Sequence, residues 1–289
     1  MMSVNERIGK YRLFKILARS AFGTVVYLAF DVYSKRQVEI KVSRKLEAPE
    51  EIQSFLAGAP TLAKFNHPQI VPIYDFGRTE EGRHFVVSKF IDGHTLREKI
   101  RNKRPTPEKS ATLVATIAET LQYAHQQGVI HRNVNPSNVL HENKTGNLYI
   151  TGFGRSIPSI GIEVGCIFGT PSYMSPEQIR GENHLIDGRS DIFSLGVVFY
   201  ELLTGMQPFR SSTTIELLNQ VISIDPVPPR KVNRTVPVEL NRICLKALAK
   251  QRSHRYSAAA ELADDLINWQ TIPTSWWSRF RRRSPQSFT

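Results

Sequence analysis

Up to Phe90 the apolar residues come in short runs. Tyr11–Leu17, Thr24–Phe30, Gln37–Val42 and His84–Phe90 are rich in Val, Ile, Tyr and Phe and are separated by turn or polar segments, the pattern of strands. One helix-compatible stretch, Pro49–Phe65, interrupts them. Gly58 and Pro60 stand in its middle, where glycine costs about 1 kcal/mol and proline about 3, so this helix is expected to be broken or shortened. After Asp92-Gly93 the period changes. Leu113, Ile117, Leu121 and Ala124 form one apolar stripe, and Asp191–Leu203 is apolar nearly all round, as a central helix would be. Thr213–Ile222, Val238–Leu248 and Ser257–Trp269 are amphipathic, with Ser257 placed as a cap. The pattern predicts an α+β chain: a small β-rich lobe over residues 1–91, a larger α-rich lobe over 92–272 and a tail over 273–289.

Composition sets limits on this picture. The chain has 289 residues, long enough to bury a core without staples. Its two cysteines, Cys166 and Cys244, are far apart with no CxxC or Cys/His cluster, so neither a zinc site nor a disulfide framework is indicated and a reducing compartment fits. Met1–Tyr11 has no apolar signal core, and Leu195–Leu203, interrupted by Glu201, is too short to span a bilayer. A cytoplasmic protein is expected. The net charge of +12 is spread out except in Ser275–Thr289, which carries Arg279, Arg281, Arg282 and Arg283 with Trp276, Trp277 and Phe280 and no acid. This tail is either a solvated end or an anchor for an anionic surface, peripheral at the inner face of the membrane. No nucleic-acid reading motif accompanies the charge, so a nucleic-acid partner is not expected.

Five short stretches carry the chemistry: VEIK (Val38–Lys41), HRN (His131–Asn133) with Asn138 five residues on, GFG (Gly152–Gly154), SPE (Ser175–Glu177) and Asp191. In order and spacing, with GTPSYMSPEQ and a late Arg255, they resemble the signature set of bacterial eukaryotic-like (Hanks-type) Ser/Thr protein kinases over roughly Ile8–Trp269. The resemblance implies a bilobal protein-kinase-like fold, with a small antiparallel β-rich N-lobe bearing one helix and a larger α-helical C-lobe. It also implies ATP contacts at Gly23, Val25, Lys41 and Asn138.

The departures from that family are as informative as the matches. Its Gly-x-Gly-x-x-Gly loop is Ala18-Arg19-Ser20-Ala21-Phe22-Gly23 here, with two of three glycines replaced, and the GTVVY that follows is one residue longer than usual. The helix glutamate that pairs the strand lysine aligns with Gly58. Glu39, two residues before Lys41 on a strand, can meet it instead, but stands where the family has a small alanine against the adenine. Lys41 therefore reads either as structural or as an ATP ligand. The aspartate base of the catalytic loop is Asn133, and the lysine two residues later is Asn135. The magnesium aspartate is Gly152, which leaves Asn138 as a neutral ligand or as a purely structural amide.

What matches is architectural: Leu62, His131, Phe153 and Asp191 as a buried spine, and Glu177 with Arg255 as an ion pair. His67 and His125 read as packed or capping residues, Cys166 as a small apolar one, and Ser88 as a small residue that leaves space in the back of the cleft. The expectation is a pseudokinase: no competent catalytic residue, no metal site, no cofactor beyond weakly held ATP with magnesium, and a protein partner such as an active kinase or its substrate. The alternative is a weakly active or atypical Ser/Thr kinase.

Overall fold

The structure, a computed structural model, describes residues 6–19, 23–44, 46, 52, 63–153 and 171–271. Residues 49–62, most of the predicted broken helix with Gly58 and Leu62, therefore lie outside the described residues apart from Ile52, as do Cys166 and the tail.

The small lobe is an antiparallel sheet in the order β1-β2-β3-β4-β6-β5. Its strands are β1 (Arg7–Ile8), β2 (Tyr11–Arg19), β3 (Val25–Asp31), β4 (Arg36–Val42), β5 (Ile73–Arg78) and β6 (His84–Lys89). The alternation that predicted β2, β3, β4 and β6 becomes a one-sided core. Leu13, Tyr27, Ala29, Val38, Ile40 and Val87 are sealed from solvent on one face. The short β1 and the polar β5, whose residues YDFGR give little alternation, were not apparent from the pattern.

A second sheet, β7 (Gly93–Thr95), β8 (Val139–Glu142) and β9 (Leu148–Ile150), lies at the junction of the lobes. Gly93 is required there: a Cβ at that position would sit 1.9 Å from the His141 carbonyl oxygen. The lobes are stitched behind the cleft. Val71 N–H donates to the Ile150 carbonyl at 3.0 Å, Ile150 N–H donates to Gln69 at 2.6 Å, and Lys89 Nζ reaches across to the Tyr149 hydroxyl at 2.8 Å.

The large lobe contains α1 (Leu96–Asn102), α2 (Pro107–Gln126), α3 (Pro176–Ile179), α4 (Gly188–Thr204), α5 (Thr214–Ser223), α6 (Pro229–Val232), α7 (Val238–Ala247) and α8 (Ala259–Thr271). Its centre is α4, with Ile192, Phe193, Leu195, Val197, Val198 and Phe199 buried all round the helix. Asp187 caps its start by accepting from Arg189 N–H, and Gly205 ends it in the left-handed conformation at φ 80°. Burial of each such Leu or Phe contributes about 1.5–3 kcal/mol, so this helix fixes whatever is attached to its ends. Asp191, in its first turn, is attached to the catalytic loop. Ser257 lies just ahead of α8 and holds the Glu261 carboxylate through its own N–H at 3.1 Å, tying the helix start as its position predicted.

Candidate functional site

In the small lobe the site is laid out by strand alternation. Val38, Ile40 and Val42 enter the core, which places Glu39 and Lys41 together on the other face of β4. Beside Glu39 are Leu28 and Ser88; beside Lys41 are Val26 and Val86. Cross-strand partners share a face, so the valine next to Lys41 is Val26. Val25 pairs with Val42 inside the lobe core, and its expected nucleotide contact is corrected accordingly. A one-residue offset moves a side chain to the opposite face. The offset has a visible source: β2 carries two bulges that leave Phe14 and Leu17 unpaired, so counting along the chain does not preserve register.

Glu39 is enclosed. Burial pushes its carboxyl above the usual carboxylate range, with the Lys41 charge opposing. Gly23 occupies the left-handed region at φ 76°, a conformation that favours glycine, while Ser20, Ala21 and Phe22 lie outside the described residues.

The catalytic-loop residues are brought together as predicted, and their amides are turned on one another. Asn135 Nδ2 donates to both the carbonyl and the Oδ1 of Asn133, at 2.9 and 3.1 Å. Asn138 Nδ2 donates to the same Asn133 carbonyl at 2.8 Å. Asn135 Oδ1 accepts from Ser137 N–H at 2.9 Å, which caps the short 3-10 turn Pro136–Asn138. Asn135 is almost fully buried, where a lysine ammonium beside a neutral Asn133 would have no charge to answer it.

Gly152 closes the floor. It lies at φ 84°, and a Cβ there would come within 2.8–3.0 Å of three atoms of the Asn138 amide. The position that carries a magnesium carboxylate in the family thus has the flat of an amide pressed against it.

Among the described residues the scaffold around this loop is closely bonded. Asp191, fully buried, accepts from the backbone N–H groups of His131 and Arg132 at 2.8 and 2.7 Å and contacts His125 Nε2 at 2.7 Å. These bonds hold Arg132 in the left-handed region at φ 61°, a cost of roughly 1–2 kcal/mol for a non-glycine residue. Gln178 secures the Arg132 carbonyl from the other side at 3.0 Å. The His131 ring packs at a tilt against Phe153 at 4.3 Å, and burial lowers its pKa although Asp191 opposes the shift. Phe65 extends the aromatic cluster edge to face, 6.4 Å from Phe153 and 5.5 Å from Tyr123. His67 and His125 are packed and bonded as read from the sequence.

Glu177 and Arg255 meet as a buried two-pronged pair at 2.7 and 2.9 Å. Burial would raise the Glu177 carboxyl, but the bonds from Arg255 and Ser190 hold it below the usual range. A further cluster was not apparent from the pattern. Arg97 donates to Ser137 Oγ at 2.7 Å and to the Tyr173 hydroxyl at 3.4 Å, and that hydroxyl bonds the Glu201 carboxylate. No signal short of the tertiary fold connects α1 to these residues.

The residues present do not fit a magnesium ion. Gly152 has no side-chain ligand to offer, the Asn138 amide can offer only a single neutral oxygen, and among the described residues no cluster of His, Cys, Asp or Glu could hold a metal. For a nucleotide, Lys41 and Gly23 keep their places while Glu39 brings a carboxyl to the same sheet face.

Comparison with known proteins agrees with the fold. The protein kinase domain model matches residues 11–267. Serine/threonine-protein kinase PknB of Mycolicibacterium smegmatis is 37% identical over 268 residues, covering 89% of this chain and 42% of that protein. Serine/threonine-protein kinase PrkC of Bacillus subtilis is 32% identical over 272 residues, covering 92% and 41%. The chain thus spans less than half the length of these relatives. Among solved structures, Rad53 1-466 in complex with AMP-PNP superposes with a TM-score of 0.72 at 23% identity, over 89% of this chain and 64% of that one, a likeness of fold. With an antiparallel small lobe, a helical large lobe and the kinase motifs in register, this chain belongs to the protein kinase domain family, among the bacterial Hanks-type serine/threonine kinases.

Proposed function

We propose that the chain is a pseudokinase, a kinase fold that transfers no phosphate and serves as a binding or allosteric signalling module. The observation that carries this reading is the catalytic loop: Asn133, Asn135 and Asn138 satisfy one another, and neither position 133 nor 152 bears a carboxylate. General-base help is worth about 10²- to 10⁴-fold in rate, and an amide cannot supply it. Without a carboxylate at 152, nothing at that position neutralises charge on transferring phosphate. The intact scaffold supports a shape-dependent role. The packing of His131 on Phe153 and the Glu177–Arg255 pair keep the form of a kinase. The partner would be a protein, an active kinase or one of its substrates, and exposed Ile215, Ile224 and Val227 offer apolar surface for it.

The second reading is a weak or atypical kinase, favoured by the survival of Lys41 beside the cleft and by relatives named as kinases. Two measurements separate them. Thermal unfolding with ATP, with and without magnesium, should show little metal-dependent stabilisation; a ligand at 100 times its Kd would add about 2.7 kcal/mol. Radiolabelled phosphate transfer to the chain itself and to a generic basic protein should be absent. Robust transfer that is lost in Lys41→Met would overturn the proposal.

A further inference from the structure

Thr95, Thr145, Ser211 and Ser257 are surface residues whose hydroxyls lie against carboxylates, those of Glu98, Glu142, Glu216 and Glu261. A phosphate on any of these four would meet a like charge. Ser137 has the opposite neighbour. It is exposed, and its Oγ accepts from Arg97 Nε at 2.7 Å.

Arg97 has no countercharge. Its other contact is the Tyr173 hydroxyl, 3.4 Å from Nη2, with the guanidinium carbon 5.7 Å from the centre of that ring. Both acceptors are neutral, and among the described residues Arg97 forms no ion pair. Glu201 reaches the cluster, but its carboxylate is held by the Tyr173 hydroxyl, which also accepts from Gln207 Nε2 at 3.0 Å. A guanidinium offers five N–H donors in a planar fork that matches phosphate, and only two bonds use it here.

The position gives an added charge something to act on. Ser137 lies in the 3-10 turn Pro136–Asn138, capped by Asn135, and Asn138 of the same turn bonds the Asn133 carbonyl. Arg97 belongs to α1, and Tyr173 to the stretch that leads into α3. One phosphate here would bear on three segments: α1, the altered catalytic loop and the stretch before α3.

We propose that Ser137 is a phosphorylation site whose phosphate is held by Arg97 and fastens α1 to the altered catalytic loop. This rests on the reading of the chain as a module that serves an active kinase, because that kinase supplies the transfer. Ser137 Oγ attacks the γ-phosphorus of ATP bound by the partner kinase. The new O–P bond forms as the bond from the γ-phosphorus to the β–γ bridging oxygen breaks, ADP leaves, and the hydroxyl proton passes to the partner's base. The product carries a charge of about −1.5 to −2 at pH 7 and three acceptor oxygens. Against it the Arg97 contact changes from a bond to a neutral hydroxyl into a two-pronged, charge-assisted pair.

The test has two arms. In the first, the full chain is incubated with ATP, magnesium and either PknB of Mycolicibacterium smegmatis or PrkC of Bacillus subtilis, and mapped by mass spectrometry. Phosphate is expected at position 137, and not there in Ser137→Ala. In the second, phosphoserine is encoded in place of Ser137 in the full chain. It should raise the folded-to-unfolded ratio by roughly 5-fold, a Tm rise of about 1–2 °C, and the gain should be lost in Arg97→Gln and reduced in Arg97→Lys. Its phosphorus-31 resonance should titrate below the pH of about 6 ordinary for a phosphoserine, and return there in Arg97→Gln. The proposal is overturned if neither kinase modifies position 137, or if the stabilisation and the titration are the same with and without Arg97. Phosphate incorporated at Ser137 by the chain alone, with no kinase added, would refute the pseudokinase reading and leave the site standing.

Discussion

Replacing Gly152 by aspartate restores the residue type the family uses for magnesium, and the structure says it will injure the loop. The backbone there is left-handed at φ 84°, which costs a side-chain-bearing residue about 1 kcal/mol or more. The new Cβ would overlap the Asn138 amide at 2.8–3.0 Å, and relief requires that amide to turn out of its bond to Asn133, a loss of about 1 kcal/mol. Reduced freedom of the unfolded chain returns about 0.4–1 kcal/mol. The net destabilisation is about 1–2 kcal/mol, a fall in Tm of roughly 2–3 °C for a chain of 289 residues. Calorimetry of wild type, Gly152→Asp and Gly152→Ala checks it, because alanine carries the same Cβ and no charge. Both should fall together. In an Asn138→Ala background the cost of Gly152→Ala should shrink by about 1 kcal/mol, since the clash is gone. A neutral Gly152→Ala, or Gly152→Asp more stable than wild type and further stabilised by ATP with magnesium, would refute the reasoning.

Glu39→Gln should stabilise the fold at neutral pH by on the order of 1 kcal/mol, because the buried carboxyl is harder to ionise folded than unfolded. Its penalty grows as pH rises from the ordinary carboxylate range to Glu39's own raised value, so the advantage of Gln should vanish in acid and grow as the pH rises above the ordinary carboxylate range; urea titrations of both forms across pH measure it. Glu177→Gln should cost about 3–5 kcal/mol by leaving Arg255 buried without its partner. Since Glu177 is held below its usual range, wild type should lose that margin only as pH falls through the lowered value, while the variant's stability stays flat there. Asn133→Asp and Asn135→Lys, made singly, should transfer no radiolabelled phosphate.

The pattern of the chain revealed those elements whose period is strong, and missed those set by neighbours. β3 and β4 alternate cleanly, and α2 and α4 bury continuous stripes, so both pairs could be read at sight. β7 and β9 have three residues each and exist because the lobes meet there, a tertiary cause that no local period records. The candidate site divides in the same way. Motif spacing located His131, Asn133, Asn138, Gly152 and Asp191, and hydrogen bonds and close contacts join them in one loop, while Lys41 stands on β4 of the other lobe. Spacing failed at Val25 because two bulges in β2 break the count, and it gave no sign of Arg97 or Phe65, whose partners lie on other elements.

The changes in the loop are consistent with one another in a way that isolated decay is not. With Asn133 neutral, a lysine at 135 would be an unanswered buried charge; asparagine there donates to Asn133 twice and caps the next turn. With no carboxylate at 152, the Asn138 amide can lie flat on Gly152 and spend its nitrogen on the loop. Each substitution removes the reason for the residue its neighbour replaced, so the loop is more tightly bonded to itself than a set of independent losses would leave it. The functional consequence is directional: any single reversion meets a neighbour shaped for the altered residue. Changing positions 133, 135 and 152 together is a necessary step towards transfer, and the triple variant should still be silent while Gly58 supplies no carboxylate and Asn138 crowds position 152.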